Sequence, residues 1–206
     1  MISALHTIKT IYFATGIFLA IGLNVDQFVY AQSQDTEGDT SSNIFITESG
    51  KAVFTSRAPM LTFSGESAQL NGMIDLEQNL LDFYLDLETL ETGIRLRDKH
   101  MRDSYLETDT YPFAEFRGQL VQVPDFVVSD TASVVAVGRF KVHGIEREIE
   151  VPGVLIGRSE GLLLSAEWTI DLPDYEISVP KVVFYELSET QEIRIEGLFQ
   201  PYQPNE

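Results

Sequence analysis

From Lys51 onward, apolar and polar side chains take turns along the chain, and this period of two constrains the fold more than any other feature. A β-strand points successive side chains to opposite faces, so a chain patterned this way must bury one row and leave the other in water. In LLDFYLDL, residues 80–87, Leu81, Phe83, Leu85 and Leu87 form one row and Asp82, Tyr84 and Asp86 the other. The alternation resumes with Ala114, Phe116, Gly118 and Leu120, then with Val134, Ala136, Gly138, Phe140 and Val142. A His143-Gly144 pair follows and predicts a tight hairpin, because glycine takes positive φ freely and histidine tolerates it. Beyond it, Glu146, Glu148 and Glu150 oppose Ile145, Arg147, Ile149 and Val151. Leu162, Leu164, Ala166, Trp168 and Ile170 make a further row, and Glu192 to Phe199 ends the pattern with Ile193, Ile195, Gly197 and Phe199. Lys51–Arg57 and Leu70–Leu76 read as shorter strands, with Ser64-Gly65 and Asn71-Gly72 as turns or bulges.

No long helical period competes with these runs. About eight strands joined mostly by short turns predict an antiparallel all-β domain over residues 44–206, with a short helical connection. A two-sheet sandwich would carry the same period, so the alternation alone leaves sandwich and barrel open. A closed eight-stranded, lipocalin-like barrel is the preferred solution because closure removes the exposed edges of an open sheet. Eight strands enclose a space that side chains fill or that holds one small ligand.

The 206-residue chain carries a formal net charge of −18. So negative a surface repels phosphate backbones, and nucleic acid is not an expected partner. There is no cysteine, which removes disulfides, thiolate chemistry and cysteine metal sites. Residues 1–31 read as an export signal: His6 and Lys9 make a weakly basic start, Ile11 to Leu23 an uncharged apolar run, and Val29-Tyr30-Ala31 a small-x-small cleavage site. The apolar run falls short of the ~20 residues a membrane-spanning helix needs, so stable membrane insertion is not expected. Cleavage after Ala31 predicts a periplasmic or else extracellular product; an uncleaved anchor is the alternative. Residues 32–43, polar and without period, read as a flexible lead-in.

One stretch breaks the alternation. Between Thr92 and Pro112, four of the chain's fourteen basic residues, Arg95, Arg97, Lys99 and Arg102, fall beside His100 and two tyrosines. The residues Thr92-Gly93, Arg97-Asp98-x-His100-Met101, Tyr105-Leu106-Glu107-Thr108 and Tyr111-Pro112-x-Ala114-x-Phe116-x-Gly118, with the later Val142-His143-Gly144-Ile145, resemble the YceI-like family of exported lipid-binding proteins. The resemblance covers roughly Gly50 to Phe199. It implies an extended lipocalin-like barrel whose apolar interior holds a long chain such as a polyisoprenoid. Where many members carry an Arg-Ser-Asp-Phe-Gly-like segment before the last strands, this chain has Leu172-Pro173-Asp174-Tyr175-Glu176-Ile177.

Candidate site residues follow. Arg97, Asp98, His100 and Arg147 are candidates for a polar ligand head at the barrel rim, through charge-assisted hydrogen bonds. The structural alternative is that the arginines pair with neighbouring carboxylates, that His100 satisfies a backbone carbonyl, and that Arg147 snorkels to the rim. Phe83, Leu85, Phe116, Phe140, Leu164, Trp168, Ile193 and Ile195 are candidates for the apolar lining. Affinity there would come from burial, at ~25 cal/mol for each Å² of greasy surface covered. The expected partner is a hydrophobic small molecule such as an isoprenoid or fatty amide, and a homodimer is left open. No cofactor, metal or catalytic group is expected: outside the export segment there are two histidines, in no nucleophile motif and at no metal-ligand spacing. Two other classes compete, a lipid hydrolase and a ligand-free acidic barrel that docks a basic protein.

Overall fold

The computed structural model describes residues 43–59, 61–121, 130–178 and 188–203. The export segment 1–31, and the lead-in 32–43 apart from its last residue, lie outside the described residues. Eight strands form one closed antiparallel barrel in sequence order: β1 (Ile44–Ala58), β2 (Leu61–Asp75), β3 (Leu80–Asp86), β4 (Phe113–Leu120), β5 (Thr131–Val142), β6 (Ile145–Arg158), β7 (Gly161–Asp171) and β8 (Thr190–Pro201). Pairing of β1 with β8 closes it, with Ala52 opposite Ile195, Phe54 opposite Ile193 and Ser56 opposite Gln191.

Apart from Arg147 on β6, which is exposed, the rows read from the alternation are the buried or half-buried rows of the strands. Leu81, Phe83 and Leu85 are buried while Tyr84, between them, is exposed. Phe83, Phe116 and Phe140 lie directly across from one another on β3, β4 and β5, so a band of aromatic rings crosses the inner wall. Next to it, Gly118 pairs with Gly138. A Cβ on Gly138 would lie 2.4 Å from the Arg117 carbonyl oxygen and 2.5 Å from Gly118 Cα, so no larger residue fits this contact without moving a strand.

Neither Ser64-Gly65 nor Asn71-Gly72 is a turn, but the register shift between the Thr47–Gly72 and Gly50–Leu70 pairs puts an irregularity of the bulge kind at Asn71-Gly72. Both lie within β2, which pairs with β1 from Leu61 to Asp75 with register shifts between Thr47 and Ala52. Their glycines answer to space: a Cβ on Gly65 would meet the Phe54 ring at 2.2 Å, and one on Gly72 would meet Phe83 at 2.5 Å and Phe199 at 2.9 Å. The His143-Gly144 hairpin forms as expected, with φ of 52° and 75°, the left-handed pair a two-residue turn demands.

The two ends of the barrel differ. Where β2, β6 and β8 finish and β7 begins, Phe199, Ile74 and Leu155 are 0%, 0% and 1% exposed, and Leu162 lies opposite Phe199. Phe199 packs edge-on to Phe83 at 5.7 Å, so this end is solid. At the other end, the chain between β3 and β4 makes a 3-10 turn (Leu87–Thr89), a short helix α1 (Arg95–His100) and a π-helical turn (Met101–Leu106) that stops at Glu107, φ 48°. Replacing Phe199 by alanine is expected to remove about 3–5 kcal/mol of stability, read from the midpoint of urea unfolding, because a large ring leaves a site that cannot collapse.

Candidate functional site

Between the solid end and the helical connection lies a cavity of about 790 Å³, within the range of small-molecule sites. Its emptiness has a local cause. At mid-height Ala52 pairs with Ile195, Ile195 with Ala166 and Ala166 with Gly153, while Ala136 lies across from Val151. These small side chains face the lumen and leave its centre unfilled. Phe83, Leu85, Phe116, Phe140, Leu164, Trp168, Ile193 and Ile195 all line its wall. Trp168 stands edge-on to Phe140 at 5.8 Å.

The mouth is formed largely by the 87–106 connection, which contributes Leu87, Leu90, Met101 and Leu106 to the lining. Ile94 and Leu96 also line it, although they are 53% and 64% exposed. Two backbone hydrogen bonds of 2.9 Å between Glu66 and Glu91 tie the connection to β2, and Ser67 and Thr89 share a 2.6 Å hydroxyl contact. Arg102 donates from Nη2 to the Leu90 carbonyl at 2.8 Å. Thr108 donates to the Glu88 carboxylate, and Lys99 pairs with Asp103.

The four head candidates fall into different places. Arg97 lines the cavity, with its guanidinium 4.4 Å from the Phe63 ring centroid. Its Nε donates to Thr92 Oγ1 at 2.8 Å and its Nη2 to the Thr92 carbonyl at 3.0 Å. Asp98 is buried and does not line the cavity; it accepts from the Thr92 amide at 2.8 Å and from Thr92 Oγ1 at 2.5 Å. Thr92 therefore relays between the two, and Asp98 positions Arg97 through it. His100 is exposed and lines the rim. Arg147 is exposed on β6 opposite Phe140 and lies outside the lining.

Two further connections meet near the same rim. His143 holds the Tyr175 carbonyl through Nδ1 at 3.0 Å, and its ring meets Tyr111 edge-on at 4.7 Å. Tyr175 ends the 3-10 turn Leu172–Tyr175 and packs against Phe140. Burial pushes its phenol up; Asp174 adds to this, and the Arg147 guanidinium opposes it. The LPDYEI segment thus supplies a buried strut, while Leu172 and Ile177 reach the lining.

Several lining residues escaped the sequence reading, among them Phe54, Phe63, Met101, Ser56 and Gln191. The last two lie in phase with inward rows, Ser56 with Ala52 and Phe54, Gln191 with Ile193 and Ile195. Their polarity hid them, since a row was recognised by its apolar members. Among the described residues no group of three or more His, Asp or Glu side chains is arranged to hold a metal ion.

Fold and cavity together define a lipocalin-like barrel with an apolar lumen open at one end. The match to the YceI-like domain model over residues 40–199 places the chain in that family, so it belongs to the YceI-like proteins. Solved structures agree on the fold. A polyisoprenoid binding domain from Saccharophagus degradans, implicated in plant cell wall breakdown, superposes with a TM-score of 0.67 at 17% identity, over 78% of this chain and 99% of that one. BcnA of Burkholderia cenocepacia gives 0.58 at 10% identity, over 71% and 94%. The YceI protein of Campylobacter jejuni gives 0.54 at 15% identity, over 68% and 85%. Among curated proteins, none matches the sequence.

The Thr92–Asp98 contacts carry a pH prediction. Burial alone would push the Asp98 carboxyl up, but the side-chain and backbone hydrogen bonds from Thr92, with the charges of Arg102 and Arg97, hold it below the usual carboxylate range. A carboxyl held low stabilises the fold above its unfolded value of about 3.9 and loses that contribution as pH falls through the folded value. Asp98→Asn is therefore expected to lower the Tm near neutral pH, by an amount that shrinks as the pH falls below the carboxyl's unfolded value. A Tm difference that stayed constant into acid would contradict this.

Proposed function

We propose that this protein is exported and holds one long hydrophobic chain, a polyisoprenoid or a similar lipid, in the barrel for sequestration or transport, without chemistry of its own. The observation that carries this reading is the shape of the interior: an apolar lumen of about 790 Å³, sealed at one end by Phe199, Ile74 and Leu155 and entered at the other. A greasy chain has no polar groups to satisfy along its length. Covering 100 Å² of it contributes about 2.5 kcal/mol, so length and width set the affinity. The name of the Saccharophagus degradans domain, a polyisoprenoid binding domain of the same fold, supports the ligand class.

In this reading the eight wall residues named above contact the chain, and Arg97 and His100 meet its polar end at the rim. Arg97 suits the task because Thr92 and Phe63 already fix its guanidinium, so little side-chain freedom is lost on binding. Arg147 has no part in it, and Asp98 acts only through Thr92.

Organic extraction of the purified native protein, followed by mass spectrometry, tests the carrier. We expect about one hydrophobic molecule per barrel, and an intact protein mass lacking residues 1–31. An empty extract, together with no rise in Tm on adding isoprenoids, would favour a ligand-free docking barrel; a retained leader would refute cleavage. Replacing Arg97 and His100 together by alanine is expected to weaken binding roughly tenfold, the loss of about one charge-assisted hydrogen bond. Unchanged affinity in the folded double variant would remove both from the head site.

A further inference from the structure

The lumen is not uniformly apolar. On neighbouring strands β1 and β8, Ser56 and Gln191 face each other in register, and both line the cavity. They are 1% and 6% exposed. Gln191 Nε2 donates to the Ser188 carbonyl at 2.5 Å and to Ser56 Oγ at 3.3 Å. Because a carbonyl only accepts, the first bond fixes which way the amide points. The amide oxygen is left turned away from both partners, and among the described residues nothing donates to it. Ser56 Oγ accepts from Gln191, and its own proton has no acceptor among the described residues. Among the described residues, one hydrogen-bond acceptor and one donor of this pair are thus left over on an otherwise apolar stretch of the cavity wall.

Their height in the barrel fixes what they can meet. Ser56 lies opposite Phe63 on β2, the ring over which Arg97 sits. The pair is therefore just inside the rim, next to the place where the end of a threaded chain would lie. Across the lumen wall Gln191 neighbours Ile170, so the polar spot is small and bounded by apolar surface.

We propose that Ser56 and Gln191 form the seat for the ligand's terminal group, and that this group is neutral and both donates and accepts: the hydroxyl of a long-chain alcohol or a primary amide. The inference rests on the carrier reading and narrows it. A hydroxyl gives its proton to Gln191 Oε1 and accepts from Ser56 Oγ–H, completing both bonds. A plain hydrocarbon end leaves both unmatched. A phosphate end would find its cation in Arg97 at the rim, but at the pair itself it would set acceptor oxygens against the Gln191 oxygen, so it matches Ser56 alone.

Dodecan-1-ol, dodecane and dodecyl phosphate differ only at the end and test this directly. Binding is read from the fluorescence of Trp168, the chain's one tryptophan, which lines the same cavity. In the wild type, dodecan-1-ol is expected to displace dodecyl phosphate; the phosphate winning would overturn the proposal without any variant. Gln191→Met keeps the volume and Ser56→Ala the backbone. Each is expected to weaken dodecan-1-ol binding by roughly five- to tenfold, the worth of about one neutral hydrogen bond, and to leave dodecane binding unchanged or tighter. Equal losses for both ligands, or no loss for the alcohol, would show that the pair only ties β1 to β8. If the wild type bound none of the three ligands, the carrier reading itself would fall.

Discussion

The hydrogen-bond ladder between β1 and β8 is the contact on which the rest of the structure depends. Through it, every strand has two partners, no edge is left to recruit another chain, and the inward rows of all eight strands are forced to face one another around a closed wall. What that wall encloses is then decided by side-chain volume. Phe199, Ile74, Leu155 and Leu162 converge and fill one end, whereas Ala52, Ala136, Ala166 and Gly153 leave the middle empty. One ladder with two populations of side chains thus yields both a stable core and a ligand-sized space.

The connection between β3 and β4 completes the site. It breaks the alternation and gathers basic residues, features that in isolation suggest an active centre. Most of its charge is spent internally: Lys99 on Asp103, Arg102 on the Leu90 carbonyl, and Arg97 and Asp98 on the two sides of Thr92. The polar network acts as a frame that holds Leu90, Met101 and Leu106 over the lumen. Arg97 faces both ways, framed by Thr92 yet lining the cavity, and His100 beside it lines the rim without such a frame. Mouth chemistry therefore rests on few groups, and the wall's own Ser56 and Gln191 take on weight that charge counting would never assign them.

The sequence was most legible where the physics is most local. A strand's period of two is a property of its backbone, so β3 to β8 could be placed from their rows, and the His143-Gly144 turn from the positive φ that its two residues accept. Reading was weaker in β1 and β2, which run longer than their clear alternation. There the glycines at 65 and 72 resemble turn residues, but they serve the rings of Phe54, Phe83 and Phe199, which come from other strands. A glycine's reason cannot be read locally when the atom it makes room for is distant in sequence.

By itself, then, the sequence determined an all-β domain with one apolar and one polar face to each strand, and a charged connection with the residues of a known family, because period and spacing are carried by neighbours along the chain. Only the tertiary structure decided that the sheet closes, that one end is plugged and the other hollow, that Asp98 supports Arg97 through Thr92, and that Arg147 stands outside. It alone brought Ser56 and Gln191, 135 positions apart, to face each other inside the lumen. Volume and hydrogen-bond partners are set by which strands lie side by side around the barrel, and that is a relation between distant residues which no local pattern encodes.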